Sequence, residues 1–312
     1  MSKPKALTLA VIARQLATEE AAREYLEKLR WQNGPACPFC GGAEVYRLTA
    51  KPGSTKPGRK GLLKCKYCRK QFTVTVGTIF EASHIKLNHW LMAIHLLCSS
   101  KKGMSAHQLH RMLGITYTAA WFLAHRIRYA MEEGPNGAKL TGIIEADETY
   151  IGGKRKQGEW KKSGFKGAPT GHMAPVFALV QRNGEVRAWP MERVTSENLH
   201  AVLKENVDKS ARVMTDELSA YNGLDQHFAS HETVNHHEYE YVRGDVTTNT
   251  VEGFFGILKR GVNGVYHHVS KKHLHRYVGE FAFRYNARKV NDGARTIAAI
   301  AGFEGKRLKY RD

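Results

Sequence analysis

Ile143-Ile144-Glu145-Ala146-Asp147-Glu148-Thr149-Tyr150-Ile151, closed by Gly152-Gly153, is the stretch whose reading decides the fold. Its branched and aromatic residues, stopped by a glycine pair, predict a strand with Asp147 on it. Pro175-Val-Phe-Ala-Leu-Val180, the turn Arg182-Asn183-Gly184 and Glu185-Val-Arg-Ala-Trp189 predict a hairpin. A helix is expected from about Ser196 to Val207, with Glu197 near its start, and Ala211-Arg-Val-Met-Thr215 reads as a short apolar strand ending in Asp216. Strand, hairpin, helix, strand and then helices predict an α/β domain with a mixed sheet of the ribonuclease-H type flanked by helices.

Thr247-Thr248-Asn249-Thr250-Val251-Glu252-Gly-Phe254-Phe255-Gly-Ile257-Leu258-Lys259-Arg260-Gly261 reads as the next helix. Val251, Phe254 or Phe255, and Leu258 form its apolar stripe, and Gly261 is the expected stop. Asn249 is the expected N-cap, with Glu252 as the N3 acid of a capping-box-like start. Lys259 lies seven residues after Glu252, two turns on and on the same face. A carboxylate and a lysine beside two strand-end aspartates suit phosphoryl transfer. Two Mg²⁺ ions about 3.5–4 Å apart activate an attacking oxygen and stabilise the leaving one. Hard oxygen ligands, chiefly carboxylates, hold such ions.

The chain outside this region is strongly basic. It has 312 residues, 48 Lys and Arg against 29 Asp and Glu, and a net charge of +19. Residues 1–142 hold 22 basic and 8 acidic side chains, a net of +14; residues 143–312 hold 26 and 21, a net of +5. With 42% apolar and 10% aromatic residues the chain is not a disordered polyelectrolyte. No long apolar run, secretory leader or disulfide framework is legible, so an intracellular protein with a polyanionic partner is expected.

Cys37-Pro-Phe-Cys40 and Cys65-Lys-Tyr-Cys68 are two C-x-x-C knuckles, each aiming two thiolates at one point. Two such knuckles favour a tetrahedral structural zinc over a redox pair. Glu44–Leu48, Gly61–Lys64 and Gln71–Val74 are the expected strands of a zinc ribbon, while Cys98, on an apolar helix, reads as a core residue. Lys51, Lys56, Arg59, Lys60, Lys64, Lys66, Arg69 and Lys70 fall in a run without an acid, the pattern of a phosphate-binding face. Residues 105–113, Gly114 and residues 116–128 read as helix, turn, helix, with Ser105 and Thr116 as N-caps. Arg126 and Arg128 on the second helix are candidate DNA contacts, as are Lys154, Arg155 and Lys156 in a basic loop with Trp160 and Phe165. The sixteen histidines show no HExxH pattern, and most read as surface, packing or phosphate-contact residues, not a second zinc site.

Asp147-Glu-Thr-Tyr-Ile-Gly-Gly-Lys154, Thr215-Asp216-Glu217-Leu-Ser-Ala-Tyr221 and Asn249-Thr-Val-Glu252-Gly-Phe-Phe-Gly-Ile-Leu-Lys259-Arg-Gly261 together resemble the insertion-sequence transposases of the ISXO type. His267-His-Val-Ser270 and Glu280-Phe-Ala-Phe-Arg284-Tyr-Asn286-Ala-Arg288 are similar to their carboxy-terminal block. The resemblance implies a DDE-type enzyme that binds element ends and performs two-metal DNA cleavage and strand transfer. Asp147 and Asp216 would be its first two Mg²⁺ ligands, Mn²⁺ serving as a substitute, and Lys259 the basic residue after the third. That third position falls on Asn249 or Glu252; a carboxylate is the stronger Mg²⁺ ligand, whereas Asn supplies one carbonyl oxygen.

The implied layout is N-terminal helices (1–34), a zinc ribbon (35–80), a helix-turn-helix-like region (81–138), a catalytic domain (139–300) and a basic tail (301–312). Its partners would be double-stranded DNA, as terminal repeats and as target, and a second copy of the chain, in a prokaryotic cytoplasm at the nucleoid. Two rivals remain: a zinc-ribbon DNA-binding regulator without catalysis, and a structure-selective nuclease that does not join strands.

Overall fold

The computed structural model describes residues 7–49, 60–132, 138–152 and 173–309. The chain divides into two compact units, Met1–Met131 with Val290–Asp312, and Glu132–Lys289.

The first unit opens with α1 (Leu9–Gln15) and α2 (Glu19–Arg30). Thr18 caps α2 by accepting from the Ala21 amide, and Glu19 and Glu20 occupy the first turn, where the helix dipole favours acids. The ribbon follows as β1 (Val45–Arg47), β2 (Leu63–Cys65) and β3 (Gln71–Phe72), an antiparallel sheet in the order β1-β2-β3. Next come α3 (Leu87–Ser99), α4 (Ala106–Leu113) and α5 (Tyr117–Met131). Ser105 accepts from the Gln108 amide and Thr116 from the Ala119 amide, and Gly114 takes the left-handed conformation that ends α4. The helix-turn-helix-like pair is therefore built from the residues expected.

Trp90, Ile94, Leu97 and Cys98 of α3 are buried, with Phe80 edge-on to Trp90 at 5.0 Å. The expected catalytic domain, 139–300, includes the last helix (Asp292–Ala301), yet this helix packs on α3 and α5 of the first unit. Its Thr296 hydroxyl lies 3.0 Å from His95 Nδ1, an interior pairing that charge and periodicity do not foretell.

The second unit carries a five-stranded mixed sheet in the order β6-β5-β4-β7-β8. Its strands are β4 (Ile143–Ile151), β5 (Ala174–Gln181), β6 (Val186–Pro190), β7 (Arg212–Thr215) and β8 (Ser230–Thr233). β4, β5 and β6 run antiparallel, whereas β4–β7 and β7–β8 are parallel, the ribonuclease-H-type arrangement. The hairpin turns at Asn183, whose φ is +59°. β8, Ser-His-Glu-Thr, carries no apolar alternation and was not legible as a strand.

Strand alternation divides the core between two faces. Ile144, Ala146, Phe177, Leu179 and Val213 pack with Leu199 and Leu203 of α6 (Ser196–Asn206). On the opposite face Ile151, Val176, Ala178 and Val180 pack against α7 (Asn249–Gly261) and α8 (Leu274–Asn286). Val251, Phe254, Phe255 and Leu258 of α7 are all buried, as their spacing predicts. Gly261 does not stop this helix: its φ is −70°, and the chain continues into a π-helical turn, Val262–Tyr266.

Candidate active site and zinc ribbon

The parallel register of β4 and β7 pairs Ile143 with Arg212, Ile144 with Val213 and Glu145 with Met214. Two residues further along that register, Asp147 stands beside Asp216, where β7 ends. Asp147 shares its face of β4 with Glu145 and looks toward the side that α7 covers. Carboxylate oxygens of Asp147, Glu148 and Asp216 all lie within 4.8 Å of one another. Asp147 Oδ1 accepts from the Glu148 amide at 2.6 Å, and Asp216 Oδ1 from the Leu218 amide at 3.1 Å. Glu148 accepts from the hydroxyl of the fully buried Tyr221 at 2.7 Å.

Burial, and then the neighbouring charges of Glu148 and Asp216, push the Asp147 carboxyl up to about 8. Burial also raises Glu148 and Asp216, against the hydrogen bonds from Tyr221 and from the Leu218 amide respectively. Three crowded oxygen donors that resist ionising together form a set that a divalent cation satisfies, by supplying the opposite charge they lack.

A pH dependence follows. An acid whose folded pKa is raised ionises more readily when the chain unfolds, so its ionisation opposes folding from about pH 4 upward until it is complete above about pH 8. The melting temperature of metal-free protein is expected to fall between pH 5 and pH 8. Mg²⁺ should raise it more at pH 8 than at pH 5, and Asp147→Asn should flatten both effects. A melting temperature independent of pH and Mg²⁺ in the wild type would contradict the assignment.

At α7 the structure departs from the expected cap. Thr248 is the N-cap and Asn249 the first helical residue; the Asn249 residue is exposed, and its backbone N–H donates to Thr247 Oγ1 at 3.1 Å. Glu252 is in the first turn and accepts from Thr248 Oγ1 at 2.9 Å. His236 Nε2 lies 3.5 Å from Glu252 and 3.3 Å from Thr248 Oγ1. Glu252 does not join the group of acids within 4.8 Å, but its charge contributes to the upward push on Asp147. Lys259 is exposed on the same helix. Glu148 and Tyr221 lie inside the motifs quoted above but carry no role legible in sequence, and His236 opens a 3-10 turn, His236–Glu238, in a polar stretch without a signal.

In the ribbon, Sγ atoms of Cys37 and Cys68 are 3.6 Å apart, as are those of Cys40 and Cys65. Thiolates at the corners of a zinc tetrahedron stand roughly 3.8 Å apart, so the donor set fits the ion. Both knuckles are built alike. Gly41 follows the first at φ +73° and Arg69 the second at φ +61°, and the Cys37 and Cys65 amides donate to the carbonyls of Gly42 and Lys70 at 2.9 and 3.0 Å. Glycine takes that conformation without strain, whereas Arg69 does not.

The basic residues sort differently from expectation. Arg126 and Arg128 are only 5% and 2% exposed, which removes them as DNA contacts. Arg126 lies over the rings of Trp90 and Phe122 and donates to the carbonyls of Glu81 and Leu308. Lys60 pairs with Glu20, and Lys66 with Glu44 at 2.7 Å, so acids from outside the cationic run neutralise two of its members. Lys70 lies over the Phe39 ring at 4.8 Å, while Lys64 and Arg69 keep solvent-accessible surface. Lys56, Arg59, Lys154, Arg155 and Lys156 lie outside the described residues, as do Lys51, Trp160 and Phe165.

A four-cysteine ribbon, and a mixed sheet that sets two aspartates side by side on parallel strands, define a chain of the DDE transposase class. Residues 139–286 match the ISXO2-like transposase domain, and residues 17–71 match the transposase zinc-ribbon domain. A protein of Halobacterium salinarum, described as an uncharacterized protein in transposable element ISH50, is 30% identical over 277 residues, covering 86% of this chain and 90% of that one. The chain belongs to the ISXO2-like family of insertion-sequence transposases.

Proposed function

We propose that the protein binds the ends of its mobile element and catalyses metal-dependent DNA cleavage and strand transfer. The observation that carries this reading is the convergence of Asp147, Glu148 and Asp216 within 4.8 Å, in a chain of transposase ancestry. Bound divalent ions, Mg²⁺ or Mn²⁺, would supply Lewis-acid activation of an attacking oxygen and charge stabilisation of the leaving one. Asp147 and Asp216 would hold them, with Glu148 as an added donor and Glu252 as the third-position ligand. Glu252 is favoured over Asn249 because its charge reaches Asp147, and a carboxylate is the stronger Mg²⁺ ligand. Lys259 would meet the phosphate backbone. Tyr221 orients the Glu148 carboxylate through its hydroxyl.

The ribbon, residues 35–80, and the helical region, 81–138, would grip the element ends, with Lys64, Arg69 and Lys70 as phosphate contacts. Lys60 and Lys66 can exchange their exposed pairs with Glu20 and Glu44 for phosphate, because such pairs are weak in water. Two ends must be joined in one event, so the working form is a dimer or larger assembly on DNA, acting in the cytoplasm of a prokaryote. Among the described residues no helix is long and apolar enough to cross a membrane. A regulator without catalysis has no use for three crowded carboxylates at a strand end.

Product analysis separates transposition from simple hydrolysis. Wild-type protein given an element-end duplex and plasmid in Mg²⁺ is expected to yield covalently joined product in which the element's 3′ end is linked to the plasmid. Cleaved ends that are never joined, under conditions that saturate both DNAs, would replace this reading with that of a nuclease.

A further inference from the structure

Glu145 has no exposed surface, and the chemistry described above does not use it. Its carboxylate nonetheless takes four hydrogen bonds. Oε1 accepts from Arg182 Nε at 2.7 Å and from Thr250 Oγ1 at 2.8 Å; Oε2 accepts from the amides of Thr250 at 2.7 Å and Val251 at 3.1 Å. Those two amides belong to the first turn of α7, where backbone donors have no partner within the helix. The side chain of the N-cap, Thr248, accepts from no backbone amide of that turn and instead donates to Glu252. The amides of Thr250 and Val251 are therefore capped from β4, while Thr247 Oγ1 takes that of Asn249. Arg182 completes the clamp by donating to the carbonyls of Asp245 at 2.7 Å and Thr247 at 3.1 Å, on the segment that leads into the helix.

A buried carboxylate is costly to desolvate, and here an arginine and the positive end of a helix offset that cost. The apolar stripe of Val251, Phe254 and Leu258 packs α7 on the sheet. Apolar contact is not directional, however, and leaves the helix free to slide and turn. Two backbone amides bonded to one carboxylate fix both its rotation and its axial position. Glu145 lies two residues before Asp147 on one face of one strand, and Glu252 is in the turn that Glu145 caps.

We propose that Glu145 is a positioning residue: by docking the first turn of α7 on β4, it sets Glu252 at the right place beside Asp147 for metal binding. The inference rests on the reading of Asp147 and Glu252 as metal ligands.

The test is Mn²⁺ titration of full-length protein, followed by electron paramagnetic resonance, together with amide hydrogen exchange of α7. Glu145→Gln preserves size but turns an amide donor toward donors. It should weaken Mn²⁺ binding by about tenfold, the lower end of the range for residues that orient metal ligands. It should also speed exchange at Thr250 and Val251, and in a Glu252→Gln background it should cause no further loss of affinity. Wild-type affinity in a folded Glu145→Gln protein would overturn the proposal, as would a tenfold loss that persists undiminished without Glu252. If Glu145→Gln does not fold, Thr250→Val removes a single donor; a smaller loss restored by Thr250→Ser supports the proposal, and no change overturns it. Should Asp147→Asn bind Mn²⁺ like the wild type, the metal-site reading itself fails, a separate outcome.

Discussion

Asp147→Asn is expected to lower Mg²⁺-dependent strand joining by about 10³-fold, equivalent to about 4 kcal/mol of barrier, while element-end binding stays within about twofold of wild type. The substitution keeps the size of the side chain and removes its charge and one strong oxygen donor. Because Asp147 is half-buried and its ionisation is opposed by Glu148 and Asp216, its removal relieves repulsion in the metal-free protein. The variant should therefore melt no lower than the wild type in the absence of Mg²⁺, and it should lose the stabilisation that Mg²⁺ confers. Loss of activity with gain or retention of stability is the signature of a site that binds charge, and it separates this account from one in which Asp147 merely holds the strand. Quantitative gel shift, melting in the presence and absence of Mg²⁺, and single-turnover joining together read all three quantities.

The second large effect concerns the ribbon. Its strands are three, three and two residues long, and the buried apolar cluster on its sheet is Cys37, Leu63, Cys65 and Phe72. Two of those four would be metal donors, so apolar burial at this sheet does little to offset its ordering entropy. Structural zinc supplies about 10–16 kcal/mol in comparable small modules. Stripping the ion with a chelator, or Cys65→Ser, is expected to unfold residues 35–80 and reduce element-end binding by at least about tenfold, since the ribbon cations then lose their fixed spacing. The sheet of the second unit should keep its protection from amide exchange. Co²⁺ should restore the fold and display the visible bands of a tetrahedral thiolate site; a chelated protein that binds DNA ends undiminished would contradict a zinc-dependent grip.

Much of this was legible because certain signals are local. The C-x-x-C knuckles announce themselves by spacing, Asp216 by its place after a short apolar strand, and Asp147 by standing on a strand of branched and aromatic residues. The stripe Val251, Phe254, Phe255 and Leu258 fixes which side of α7 is buried. What stayed hidden depends on partners distant in the chain. Arg126 looks like a cation on a DNA-facing helix until the carbonyls of Glu81 and Leu308 take its guanidinium. Lys60 and Lys66 look unopposed until Glu20 and Glu44 arrive from outside the cationic run. Asn249 has the chemistry of an N-cap, yet Thr248 holds that position and the distant Glu145 takes the amides of Thr250 and Val251. Glu148 was hidden because alternation assigns it to the face opposite Asp147; its carboxylate still reaches the other acids where β7 ends.

If the acids brought together by β4 and β7 carry a metal-dependent joining of DNA, removing one of them must stop the joining and not the binding. The most direct measurement is single-turnover transfer of a 3′-hydroxyl element end into plasmid DNA, comparing wild type and Asp216→Asn at equal occupancy of the end. Joined product is expected from the wild type in Mg²⁺, none in a chelator, and a loss of about 10³-fold in the variant. Joining by Asp216→Asn at the wild-type rate, or joining by the wild type without a divalent ion, would contradict it.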